Sequence, residues 1–192
     1  SMTGYTSDNL SSMVERVTAG ATGALGKISM ADEDGGKFDA SDLAGMVEKI
    51  TAGATSALGK ISMEDADGGK FDASDLSGMV QNITSGATGA LGNIQMDGYS
   101  SDNVSSLTSN ITSSTTSALS KIQMDGFNPN NIPSDITNSV STGVTAGLLE
   151  QPPMLKEITA VISPTYDTTP KYIFNSSKAG TINFGGSCSS DN

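Results

Sequence analysis

The stretch MVERVTAGATGALGKI (residues 13–28) returns as MVEKITAGATSALGKI (46–61), as MVQNITSGATGALGNI (79–94) and, loosened, as LTSNITSSTTSALSKI (107–122). Recurrence at this spacing marks a repeat architecture, in which each unit buries its apolar face only against neighbouring units. An aromatic opens every unit: Tyr5, Phe38, Phe71, Tyr99 and Phe127, at intervals of 33, 33, 28 and 28 residues. The fifth unit is the most degenerate.

Each unit predicts one helix. In the first, Leu10, Val14, Val17, Ala21, Leu25 and Ile28 are spaced 4, 3, 4, 4 and 3 apart and fall on one face. Thr6, Asp39, Asp72, Ser100 and Asn128 follow the aromatics and are good N-cap residues. The pairs Tyr5/Leu10, Phe38/Leu43, Phe71/Leu76, Tyr99/Val104 and Phe127/Ile132 have the spacing of hydrophobic staples. Pro129 suits the first helical position of unit five. The glycines of the T-A-G-A stretch do not read as a turn. Gly20, Gly23 and Gly26 are replaced by Ser114, Ser117 and Ser120 in unit four, so positive φ is not required there. Each interior glycine costs about 1 kcal/mol relative to Ala, which suggests either a marginal helix or a helix back that is closely approached. Ala at the mid-helix core position also points to close approach. The expectation is a mainly α fold over residues 3–150: five antiparallel up-down helices of about 22 residues each, about 33 Å long, closed as a bundle or open as an array. The glycines of the short MDG connections, Gly98 and Gly126, read as C′ residues.

After unit five the composition turns to proline and β-rich runs. Pro152-Pro153 predicts a linker over 151–157. Strands are expected at Ile158–Ile162, Lys171–Phe174 and Thr181–Phe184. The text from DTTP (167–170) through AGTI (179–182) to GGSC (185–188) resembles the opening strands of bacterial Ig-like repeats in large secreted adhesins and surface lipoproteins. The resemblance implies a partial Ig-like segment over 158–192. It also implies that Cys188 pairs with a cysteine on a later strand, which this sequence lacks. The helical units look like repeats that precede such domains.

The formal charge of −11 disfavours nucleic acid, which needs Lys and Arg against phosphates. No apolar run approaches the roughly 20 residues needed to cross a bilayer, so no membrane insertion is expected. The absence of histidine removes the usual general base. No enzyme is predicted.

Two longer inter-helix loops, ADEDGGKFDASDL (31–43) and EDADGGKFDASDL (64–76), carry the candidate metal ligands Asp32, Asp34, Asp39, Asp42, Asp65, Asp67, Asp72 and Asp75. Their second halves resemble EF-hand or dockerin loops, which implies Ca2+ with Asp42 and Asp75 as terminal ligands. Their first halves depart from that pattern, because glycine takes the place of a third acid. The competing reading is a solvated acidic turn with an Asp N-cap. The pairs Thr18/Thr22, Thr51/Thr55 and Thr84/Thr88 suggest either an ice- or lattice-binding surface or a helix flank whose hydroxyls bond back to the preceding turn. The expected function is a structural or adhesive repeat module of a bacterial extracellular surface protein. A protein or surface ligand, or a second copy in a homo-oligomer, is its expected partner.

Overall fold

A computed structural model describes residues 7–28, 38–61, 72–96, 99–124, 126–159, 166–181 and 183. It contains five helices, α1 (Ser7–Leu25), α2 (Leu43–Leu58), α3 (Ala73–Leu91), α4 (Ser101–Leu119) and α5 (Ser134–Glu150), then strands β1 (Leu155–Thr159) and β2 (Ile173–Ser176). The chain divides into two compact units, 1–152 and 153–192.

The helical unit has two layers. Helix α3 packs chiefly against α1 and α5, and α2 against α4. One core cluster shows the alternation of direction. It joins Leu10 of α1, Leu76, Met79, Val80 and Ile83 of α3 and Ile136 and Val140 of α5 to Leu58 of α2 and Leu119 of α4. The N-terminal halves of the odd helices thus meet the C-terminal ends of the even ones. Successive helices run antiparallel, and helices within a layer run parallel.

The T-A-G-A stretches are helical throughout, as expected. The only positive φ among the described residues is at Gly126 (φ 76). Gly126 is not a helix C′ residue, because α4 ends earlier, at Leu119. It takes the third place of a turn closed by the Phe127 N–H on the Met124 carbonyl (3.2 Å), where a type II turn requires positive φ.

The helices are shorter than the apolar period predicts. In α2 and α4 the cap residues Gly59 and Ser120 stay right-handed (φ −67 and −64). The chain then tightens, with Ile28, Ile61, Ile94 and Ile122 donating to the carbonyls of Leu25, Leu58, Leu91 and Leu119 three residues back. These last isoleucines lie in a terminal 3₁₀-like turn.

Two starts also differ. Helix α5 begins at Ser134, not at Pro129. Pro133 disfavours a helical Ile132, so residues 128–131 form a separate turn, with Asn130 N–H on Asn128 Oδ1 (3.0 Å). Helix α2 begins after a tight turn in which Asp42 N–H meets the Asp39 carbonyl (3.2 Å).

The buried line also departs from the predicted stripe. Val17 is 64% exposed, whereas Thr18 and Thr22 are buried. In α1 the inward positions run Leu10, Thr18, Thr22, Leu25, and in α2 Leu43, Val47, Thr51, Thr55, Leu58. In α1 and α2 a period of four with one step of three carries threonines, not Val17 or Ile50, into the middle of the layers, whereas in α3 and α4 the stripe residues Ile83 and Ile111 are buried as expected.

In the second unit, β1 and β2 pair antiparallel from Leu155↔Ser176 to Thr159↔Ile173, with an irregularity between Glu157 and Thr159. Strand β1 therefore starts inside the stretch expected as linker. Thr181 and Asn183 are not in a strand. Phe184 and Cys188 lie outside the described residues. Tyr172 and Phe174 stack at 5.7 Å between ring centres.

Candidate functional site

The acidic loops supply the first candidate. Asp32, Asp34, Asp65 and Asp67 lie outside the described residues, as does Phe71. The four remaining acids sit at helix entries and make caps. Asp39 N–H donates to Asp42 Oδ2 (2.9 Å) and Asp72 N–H to Asp75 Oδ2 (3.1 Å). Ser100 N–H donates in the same way to Asn103 Oδ1 (2.8 Å). The third helical residue of α3 and of α4, and Asp42 just ahead of α2, thus each satisfy an N–H that helix geometry leaves without an intrahelical partner. Asp39 Oδ1 accepts both the hydroxyl and the N–H of Ser41, each at 2.7 Å. The hydroxyl first and the N–H second hold its carboxyl below the usual range. Among the described residues, no group of three or more acids, cysteines or histidines is placed to hold a metal ion.

The threonine pairs form the second candidate, and all six members are buried. A lattice-binding surface needs them in solvent, so the burial removes that use for them. Several bond back to the helix as expected: Thr18 to the Val14 carbonyl (2.8 Å), Thr51 to Val47 (2.6 Å), Thr55 to Thr51 (2.9 Å) and Thr84 to Val80 (3.0 Å). The buried hydroxyls of Thr22, Thr88 and Thr115 have no hydrogen-bond partner.

The third candidate is the helix interface within each layer, where glycine and small polar residues let backbones approach. A Cβ added to Gly86 would stand 2.6 Å from the Glu15 carbonyl oxygen. A Cβ on Gly143 would overlap the Gln81 carbonyl and the Thr84 hydroxyl. By repeat position Glu15 corresponds to Gln81, and Gly86 corresponds to Gly143. The same correspondence holds above and below. Asn82 Nδ2 donates to Ser11 Oγ (2.6 Å), and Ser139 Oγ meets Ser77 Oγ (2.6 Å). Gly26 lies against Ile94, and Gly92 lies against Gln151. The even layer repeats the last of these contacts, Gly59 lying against Ile122. One interface is therefore used for α1/α3 and α3/α5, and its closing contact recurs in α2/α4.

Sequence reading anticipated close approach but not its partners. Asn82, Gly143 and Gln151 carried no signal of their own. Aligning unit five on its aromatic places Gly143 one residue out of step, because Pro133 delays its helix. Gln151 is buried and donates from Nε2 to the Thr88 carbonyl (2.6 Å). Tyr99 is half-buried, and its hydroxyl donates to the Leu91 carbonyl (2.9 Å) at the end of α3. Burial pushes its phenol pKa well above the ordinary range.

No helix among the described residues is long and apolar enough to cross a membrane. Compared with known proteins, the chain matches no family model, no curated protein and no solved structure.

Proposed function

We propose that this chain is a non-enzymatic structural and adhesive repeat module of a bacterial extracellular surface protein. The recurring helix interface carries this reading. A chain that reuses one interface, and closes it with backbone and small side chains, invests its sequence in extension, as solenoid-like arrays do. The acidic, Ser/Thr/Gly-rich composition and the resemblance of the C-terminal segment to adhesin repeats support an extracellular setting. They favour a protein or surface ligand over nucleic acid. Cell-surface display tests the reading. With a tag beyond the module, added pairs of helical units should bring the tag into reach of progressively bulkier antibody-coated beads. A reach that does not change with unit number contradicts it.

A second reading keeps the same module and lets calcium stiffen its two longer linkers. The observation that favours it is the turn at Asp39, where Ser41 lowers the carboxyl's pKa while the Asp42 carboxylate accepts the Asp39 N–H. Calcium calorimetry separates the two readings.

A further inference from the structure

The interface that recurs inside the chain has two outer faces that its own helices leave uncovered. In α3, Met79 and Ile83 are 1% and 0% exposed. Their counterparts in α1, Met13 and Val17, are 40% and 64% exposed. Gly20 corresponds to Gly86, yet a Cβ added to it would meet nothing within 4 Å. In α2, Gly53 is likewise open and Met46 is 36% exposed. An open depression of about 610 Å³ lies beside Met13, Arg16 and Val17. The receiving face that α3 fills with α1 is thus present on α1 without an occupant among the described residues.

The opposite end carries the other half. Ser105 and Ser109 of α4 stand where Ser11 and Glu15 stand in α1, and both are exposed. Their hydroxyls already bond within their own helix, to the Ser101 carbonyl (3.3 Å) and the Ser105 carbonyl (3.1 Å). In α5, Thr145 does the same to the Ser141 carbonyl (2.9 Å). The donor hydrogens of these three hydroxyls therefore need no water when the face is covered.

We propose that a second copy of this chain docks on the α1–α2 end, its α4 seated on α1 and its α5 on α2, continuing the internal interface between molecules. The geometry is heterologous and does not close, so copies add head to tail. Each copy carries a charge of −11, so screening by salt should favour the assembly. The proposal rests on the repeat-module reading.

Analytical ultracentrifugation over a concentration series tests it. The expected result is a mass that grows past the dimer and grows more readily in salt. Val17→Asp should block the receiving end, and Ser109→Trp the donating end. Each variant should sediment as a monomer, and an equimolar mixture should give a one-to-one pair. Both positions are exposed, so helicity and melting should stay close to those of the parent. If Val17→Asp fails to fold, Gly20→Leu replaces it. A monomer at every concentration, a dimer that stops growing, or association indifferent to both variants overturns the proposal. A strictly monomeric chain would still leave the spacer reading to the display experiment.

Discussion

The Gly86 Cα faces the Glu15 carbonyl so closely that a methyl group there would stand 2.6 Å from the oxygen. The equivalent Gly20 faces open space. The same residue in the same repeat text therefore has opposite consequences. Gly20→Ala removes only the helix penalty of glycine and should stabilise by about 1 kcal/mol. Gly86→Ala should destabilise by about 1–3 kcal/mol, because α1 and α3 must separate to admit the methyl group. Chemical denaturation of both variants checks this. Equal effects would contradict the interface.

The buried threonines give a second contrast. Thr88 Oγ1 is buried without a partner, and such a group costs roughly 1–3 kcal/mol. Thr88→Val keeps the shape and should be neutral to stabilising by about 1 kcal/mol. A clear fall in melting temperature would show that the hydroxyl is satisfied.

Tyr99 predicts an alkaline effect. Its folded pKa is raised by burial, so its contribution is fully present below the unfolded value of about 10. That contribution is lost as pH rises from there toward the folded value. At neutral pH Tyr99→Phe should cost about 1 kcal/mol through the lost bond to Leu91. Above pH 10 the gap between variant and parent should close. A gap that stays constant with pH would contradict the burial of the phenol.

Much of this was legible in the sequence. Five helices, their caps at Asp72 and Ser100, and the close approach of a glycine face followed from period and repetition. The inward side of α3 did too, since its stripe from Leu76 to Ile94 is buried throughout, but that of α1 did not. Val17 and Thr18 are adjacent, and hydrophobicity chooses Val17, whereas the array needs the smaller-contact Thr18 line to bring helices together. Pro129 fits a helix start, but Pro133 sets the start of α5 at Ser134. The acidic loops were only partly readable, since Asp42 and Asp75 serve equally well as ligands or as caps. In the structure they accept the N–H groups of Asp39 and Asp72.

Calcium supplies the fourth test. On the stiffening reading, the two longer loops bind with dissociation constants on the order of 0.1–1 mM. Calcium should then raise the melting temperature, magnesium should do less, and Asp34→Ala with Asp67→Ala should abolish the rise. Calorimetry that shows no heat and no thermal shift would leave Asp39, Asp42, Asp72 and Asp75 as caps alone. Without calcium, Asp75→Ala should cost about 1 kcal/mol, because it removes the bond to the Asp72 N–H.

The central claim is that one interface, reused, builds an open array whose stability comes from neighbouring units. A series in unit number tests it most directly. Removing residues 38–70 should leave four units, and duplicating them should give six. The account predicts that four, five and six units all unfold cooperatively with similar helicity per unit, and that melting temperature rises with each added unit. A four- or six-unit chain that loses its helices, or a melting temperature independent of unit number, would contradict it.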